Sequence, residues 1–232
     1  MSEQPPNDPR RSIQADAINA RPLPKRFYKD VTIGGDGPFA ILLDGRIAKT
    51  PSKKVVAVES QTLAKDVAAE WAAQTGVINP ATMPLTTLVI TAIDAVAGRE
   101  ADVAAEIVRY AGSDLMCYRA EGPAKLVTRQ AELWDPVLAW AASDLGARFV
   151  LGEGVVHVAQ SPGSIAAIAR AIDGIPALPL AALHVMTTLT GSALLAIALQ
   201  AEGMEAVSYA GWQLPIKTNS AYTKARIESI DD

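Results

Sequence analysis

The chain has 232 residues, of which 50% are hydrophobic and 20% are charged, and its formal net charge is −4. This size allows one large or two small domains with a sizeable core, and the acidic balance argues against a nucleic-acid-binding protein, which would carry a basic face. The single Cys excludes an internal disulfide and a thiolate metal cluster.

Residues 1–24 form the first segment. They are rich in Pro and in charged residues and contain no apolar run, so they do not resemble a secretory signal peptide. Their acidic residues also argue against a mitochondrial presequence. We interpret this segment as a flexible N-terminal arm or as the irregular N-terminal segment of a bacterial protein.

The next predicted elements are β-strands, in a domain that we expect to span residues 25–60. Val31 and Ile33 are two positions apart, which is the apolar spacing of a strand. Residues 39–43 form a short apolar run, and residues 55–58 are also typical of a strand. Residues 34–38 and the dipeptide Asp44-Gly45 are turn signals. Together they predict a small antiparallel sheet.

Helical spacing begins near Ser60 and predicts a larger multi-helical domain over residues 61–232. Helices are expected over residues 60–76, 84–98, 103–112 and 126–145, followed by a small hairpin over 148–158 and a short helix from Pro162 to Ile172. The helix over 126–145 is apolar on two faces and should be central; its Asp135-Pro136 pair predicts either a kink or a new cap. The predicted fold class is therefore α+β.

Residues 174–201 carry no charged side chain. An uncharged stretch of this length is long enough to form a transmembrane helix. Pro, Thr, Ser and Gln residues interrupt this stretch, and no basic cluster flanks it. We expect a buried soluble helix, drawn as one long element from Pro179, and no stable membrane insertion. A membrane-associated protein is the alternative.

No catalytic, cofactor or metal motif is recognisable. His157 and His184 lack ligand-spaced partners, and Cys117 lies in an apolar run that predicts a buried, unreactive thiol. The glycines of residues 34–37 lack the Gly-Lys-Ser/Thr of a phosphate loop, and no nucleophile elbow is present. These patterns predict a protein that is not an enzyme and that needs no cofactor or metal.

Large amphipathic and charged side chains are concentrated in residues 110–141, and a further pair, Glu70 and Trp71, precedes them. They act either as internal ion pairs and helix caps, or as a charged rim around an apolar groove with Trp anchors for a partner. The alternative function is a small-molecule enzyme with a polar pocket in the helical domain. The candidate partner-binding residues are Glu70, Trp71, Asp114, Arg119, Arg129, Glu132, Trp134 and Asp135.

Seven segments, in order between about residues 25 and 205, resemble one known family. They are Arg26-Phe27-Tyr28-Lys29, Leu43-Asp44-Gly45-Arg46, Ala68-Ala69-Glu70-Trp71, Met83-Pro84-Leu85-Thr86, Ser113-Asp114-Leu115-Met116-Cys117-Tyr118-Arg119-Ala120, Arg129-Gln130-Ala131-Glu132-Leu133-Trp134-Asp135-Pro136 and Leu189-Thr190-Gly191-Ser192. The family is that of the ATP12 assembly chaperones of mitochondria and alphaproteobacteria, which hold the alpha subunit of the ATP synthase catalytic head before assembly. The tail departs from the acidic end of that family, because Trp212-Gln213 is followed by Lys217, Lys224 and Arg226.

The resemblance implies the same two-domain layout and a nucleotide-independent chaperone. Its partner would be the free alpha subunit, protected from aggregation until it pairs with the beta subunit, because a lone ring subunit exposes apolar surface. The expected location is the bacterial cytoplasm, or the mitochondrial matrix if the source is eukaryotic.

Overall fold

The computed structural model describes residues 22–202, 216–218 and 227–230. The chain divides into two compact units: Met1–Lys49 with Val55–Thr87, and Thr50–Lys54 with Leu88–Asp232. Strands dominate the beginning of the first unit and helices the second, which confirms the predicted α+β class. The predicted N-terminal arm, except residues 22–24, and the segment from Trp212 to Pro215 lie outside the described residues.

The first unit contains a small antiparallel sheet. Its strands are β1 (Val31–Gly34), β2 (Phe39–Leu43), β3 (Arg46–Ile47) and β4 (Ala57–Val58), and β2 pairs with each of the other three. Asp44 and Gly45 have φ angles of 49° and 73°, as the two-residue turn between β2 and β3 requires. The backbone N–H groups of Asp30 and Lys29 donate to the Asp44 carboxylate, which lowers its pKa. The predicted sheet is confirmed.

Helix α1 (Gln61–Ala72) packs against β1 and β2 within the same unit. Ser60 caps it by accepting a hydrogen bond from the Leu63 N–H at 3.3 Å. Ala64 and Val67 are completely buried on the face toward the sheet. The apolar face of α1 therefore completes the core of the sheet within the first unit. The domain boundary at residue 60 stays a prediction.

Helix α2 (Pro84–Thr91) begins in the first unit, and its last turn continues as a π-helical segment, Ala92–Val96, in the second. The other α-helices of the second unit, within the described residues, are α3 (Glu100–Ala111), α4 (Ala124–Asp144), α5 (Pro162–Ala171), α6 (Ala177–Thr190) and α7 (Ala193–Ala201). Helix α4 runs unbroken through Pro136. Short strands complete the list: β5 (Tyr118–Arg119), β6 (Gly152–Glu153), β7 (Ile216–Thr218) and β8 (Ile227–Ile230).

The core of the second unit is built around α6 and α7. Ile107, Ile168, Leu183 and Leu194 are completely buried, and α6 packs against both α3 and α7. The predicted burial of this uncharged stretch is confirmed at Leu194. Within the described residues, no helix has the length and apolar character needed to cross a membrane.

The prediction of one long helix over the uncharged stretch is wrong. Gly191 has a φ angle of +69° and ends α6, because this left-handed conformation suits glycine. Ser192 then accepts a hydrogen bond from the Leu195 N–H at 3.0 Å and begins α7. A local stop and start signal thus divides the stretch into two helices.

The hairpin predicted over residues 148–158 is also wrong. Only Gly152 and Glu153 form a strand, and they pair in parallel with β5. The Gln160 side chain instead accepts from the Val150 N–H at 2.8 Å and donates to its carbonyl at 2.9 Å. A side-chain amide therefore takes the hydrogen bonds that a second strand would have made.

Candidate functional site

In the first unit, Glu70 caps a helix. Its Oε1 accepts from the Leu85 N–H at 2.8 Å, and its Oε2 accepts from the Thr86 N–H at 2.7 Å and from the Thr86 hydroxyl at 2.7 Å. These N–H groups belong to the first turn of α2, where a negative charge is stabilised by the helix dipole. The structure therefore assigns Glu70 a structural task.

Trp71 forms an aromatic contact with Tyr28. Their ring centroids lie 5.7 Å apart at an interplanar angle of 61°, and the Tyr28 hydroxyl donates to the Trp71 carbonyl at 2.8 Å. The Arg26 guanidinium lies over the Tyr28 ring, 4.7 Å from its centroid. It also donates to the Ala72 carbonyl at the end of α1. The indole is half-buried, and within the described residues its buried Nε1 has no hydrogen-bond partner.

In the second unit, Asp114 is completely buried and joins two segments 80 residues apart. Its carboxylate accepts from the Met116 N–H at 3.1 Å and from the Leu194 N–H at 3.0 Å, at the start of α7. Burial raises the pKa of Asp114 despite these donors. Burial, with the nearby Asp114 charge, also raises the pKa of the Cys117 thiol to about 12, and the predicted burial of this thiol is confirmed.

Arg119, Trp134 and Asp135 are brought together by β5 and α4. The Arg119 guanidinium lies 5.3 Å from the Trp134 ring centroid, and its Nη2 contacts the Asp135 Oδ1 at 2.7 Å. The Arg119 side chain is 11% exposed, whereas that of Asp135 is 57% exposed. The pair therefore presents a carboxylate to the surface above a largely buried cation.

Arg129 and Glu132 lie on the same helix as a surface ion pair. Their side chains are 65% and 58% exposed and approach to 3.5 Å. Such exposed pairs contribute little to stability, so both groups are free to interact elsewhere. Contact of a partner with any of the eight candidate residues stays a prediction.

The polar pocket of the enzyme alternative requires Asp114, Arg119, Arg129 and Glu132 to converge. No hydrogen bond or ion pair joins Asp114 to the other three within the described residues. Of the two His, His184 contacts Glu106 at 3.1 Å and His157 contacts the Tyr118 hydroxyl at 3.2 Å. Within residues 22–202, no group of three or more His, Cys, Asp or Glu is placed to hold a metal ion.

An apolar groove of about 610 Å³ lies within the second unit, and sequence reasoning did not locate it. We call it the Leu189 groove. Three exposed apolar side chains contribute to it: Leu115 from the turn before β5, Val155 from the turn after β6, and Leu189 from the end of α6. The full lining is Tyr110, Ser113, Leu115, Tyr118, Gly154, Val155, Thr188, Leu189, Thr190 and Gly191.

The lining was missed because it comes from three separate segments of the chain, residues 110–118, 154–155 and 188–191. Leu115 and Leu189 lie in the segments that resemble the family, but their local patterns do not distinguish exposed from buried leucines. Val155-Val156 was assigned to a strand, although the two side chains are 98% and 74% exposed. The available signal was the turn at Gly154-Val155, because a valine in a turn has no strand face to pack against.

Solved structures of chaperones share this fold, which defines the class of protein. The Atu1473 protein of Agrobacterium tumefaciens is 48% identical, with a TM-score of 0.73 over 83% of this chain and 73% of that chain. Atp12 of Paracoccus denitrificans is 38% identical, with a TM-score of 0.70 over 78% of each chain. Both similarities extend over most of this chain.

The family follows from the sequence match. The profile described as ATP12 chaperone protein matches residues 25–142, about half of the chain. The chain therefore belongs to the ATP12 chaperone family, which confirms the resemblance.

Two known relatives match over shorter lengths. The mitochondrial protein atp12 of Schizosaccharomyces pombe is 30% identical over 145 residues, covering 58% of this chain and 50% of that protein. A local match to an aspartate kinase of Pseudomonas fluorescens is 62% identical over 40 residues, or 10% of that enzyme. The chain thus spans half or less of the length of these relatives.

Proposed function

We propose that this protein is an assembly chaperone of the ATP synthase catalytic head. It binds the free alpha subunit and prevents its aggregation until the subunit pairs with the beta subunit. Membership of the ATP12 chaperone family is the observation that carries the proposal. The activity belongs in the bacterial cytoplasm, or in the mitochondrial matrix for a eukaryotic source.

The surface of the second unit supports this proposal. Leu115, Leu133, Val155 and Leu189 are between 49% and 98% exposed, so large apolar side chains are available to a client. About 300 Å² of apolar contact would give roughly 7 kcal/mol at about 25 cal/mol per Å². Association costs reduce that gross figure substantially, which suits a complex that must later release its client.

The candidate residues divide into two roles in this proposal. Arg129, Glu132 and Asp135, with the edge of Trp134, form a polar rim on α4 that contacts the client, since their charged groups are exposed. Arg119 holds that rim in place through Asp135 and Trp134. Asp114 acts indirectly, by fixing the Leu115 turn and the start of α7. Glu70 and Trp71 act within the first unit, where they stabilise α2 and α1.

Light scattering tests the proposal. Denatured alpha subunit is diluted into buffer with the protein at an equimolar ratio and without nucleotide, and an unrelated acidic protein of similar size serves as the control. We expect the scattering to fall to near the buffer level only with this protein. A strict ATP requirement, or no effect at the equimolar ratio, contradicts the proposal.

A further inference from the structure

We propose that the Leu189 groove is the docking site for an apolar segment of the client that is flanked at one end by a Lys or Arg. The inference rests on the proposed function and specifies how the alpha subunit would be held. It concerns a different surface from the polar rim on α4.

The lining of the groove indicates an apolar occupant. None of its ten residues is charged, although 20% of the chain is charged. Leu115, Val155 and Leu189 are 49%, 98% and 59% exposed and lie in one concavity. Soluble proteins seldom leave several large apolar side chains together in water unless they bind something, and a volume of about 610 Å³ accommodates a few side chains of a peptide segment.

Hydrogen bonds fix two walls of the groove before any partner binds. The Leu115 N–H donates to the Gly191 carbonyl at 3.0 Å, which ties the Leu115 turn to the end of α6 beside Leu189. Asp114 strengthens the same junction through the Leu194 N–H at 3.0 Å. A preformed wall loses little conformational entropy on binding, so more of the contact energy appears as affinity.

The third wall is also held in place. The Gly154 N–H donates to the Arg119 carbonyl at 2.9 Å, and the Tyr118 hydroxyl contacts His157 at 3.2 Å and the Val158 N–H at 3.4 Å. These bonds anchor the turn on both sides of Val155. The almost fully exposed Val155 side chain is therefore presented by a constrained backbone.

Acidic side chains near the Gly154 end of the groove indicate the charge of the occupant. Glu121 Oε1 lies only 2.8 Å from the position that a Gly154 Cβ would take, and Glu153 precedes that glycine. Both side chains are exposed, and neither has an ion-pair partner within the described residues. The Glu121 carboxylate beside Gly154, with Glu153 adjacent in the chain, complements a basic residue at the end of an apolar segment and disfavours anionic lipid.

The test compares two double variants that differ only in their relation to the groove. V155Q with L189Q replaces two lining side chains. The control, L151Q with V156Q, replaces an exposed leucine and valine, 47% and 74% exposed, in the same loop region but outside the lining. All four positions are exposed, so both variants should keep the circular dichroism spectrum and melting temperature of the parent.

The measured quantity is the Kd for purified alpha subunit. We expect the groove variant to raise the Kd by about tenfold or more and the control to change it by less than about twofold. An unchanged Kd in the groove variant, with binding by the parent intact, overturns the inference and leaves the proposed function standing. No binding by the parent overturns both. A groove variant that loses self-association but binds the alpha subunit normally shows that a second copy occupies the groove, and also overturns the inference.

A second pair of substitutions tests the basic residue. E121Q with E153Q should raise the Kd by about threefold at low salt and flatten its dependence on salt concentration. If the salt dependence is that of the parent, the occupant has no cation at this end, and that part of the inference is wrong.

Discussion

The Glu70 Oε2 accepts two hydrogen bonds from one residue, Thr86, through its N–H and its hydroxyl, both at 2.7 Å. Thr86 is itself buried, at 3% exposure, so the donors have no access to water. The Glu70 carboxylate on α1 therefore caps the N-terminus of α2, 16 residues later in the chain.

Replacement of Glu70 should destabilise the first unit. E70A removes the acceptor of three hydrogen bonds and leaves buried donors unpaired, so we expect a loss of about 2 kcal/mol in the free energy of unfolding. E132A is the control, since it breaks only an exposed ion pair and should cost less than about 0.5 kcal/mol. Urea unfolding gives both values. If E70A and E132A lower the free energy of unfolding equally, the Glu70 cap stabilises the fold no more than an exposed ion pair does.

Trp71 should tolerate an aromatic replacement and not a charged one. W71F keeps the contact with Tyr28 and removes an indole N–H that is buried without a partner. W71R places a cation in the same half-buried site and should cost about 3 kcal/mol or more. Thermal unfolding measures both. A folded W71R that no longer binds the alpha subunit would make the indole a client anchor, and a W71R that is stable and active would show that this helix is misassigned.

A charge at Leu194 should disrupt the helical core. Leu194 is completely buried, whereas Leu189 in the same uncharged stretch is 59% exposed. We expect L194K to lower the free energy of unfolding by about 4 kcal/mol, because it replaces a packed apolar side chain by an ammonium in the core, and L189K to change it by less than about 1 kcal/mol. If L194K keeps the melting temperature of the parent, α7 is not part of the core.

Asp114 should make stability depend on pH. Its ordinary pKa is 3.8, and burial raises the value in the folded state. The folded state then binds the proton more tightly than the unfolded state does, so the contribution of Asp114 to stability is greatest below pH 3.8 and falls as the pH rises toward the folded-state pKa.

The measurement is the difference in free energy of unfolding between the parent and D114N, taken across that pH window. We expect this difference to decrease with rising pH and to become constant above the folded-state pKa. D114N itself should cost about 1–3 kcal/mol, because its amide NH₂ would face a backbone donor. A difference that increases with pH would show that the N–H donors outweigh burial.

Local patterns were sufficient for the elements whose signals lie within a few residues. The Asp44-Gly45 turn, the Ser60 cap and the period of α1 all appear in the chain as contiguous signals, and the corresponding strands and helix form. The break at Gly191 also had a local signal, but the absence of charge around it suggested a continuous helix.

Tertiary contacts were beyond the reach of such patterns. Asp114 bonds to Leu194 from 80 positions away, and the Leu189 groove combines side chains from three segments. Glu70 and Asp114 were partner-binding candidates with a helix cap as the alternative, because a carboxylate in an apolar context has the same sequence signature whether it caps a helix or faces a partner. Only the fold distinguishes these two roles.

The most direct test of the central claim is the mass of the complex in solution. The protein and purified alpha subunit are mixed without nucleotide and separated by size-exclusion chromatography with multi-angle light scattering, and beta subunit is then added. We expect an equimolar complex with the alpha subunit, no complex with the beta subunit alone, and release of the chaperone when both subunits are present. Failure to form the complex with the alpha subunit, or a preference for the beta subunit, would contradict the claim.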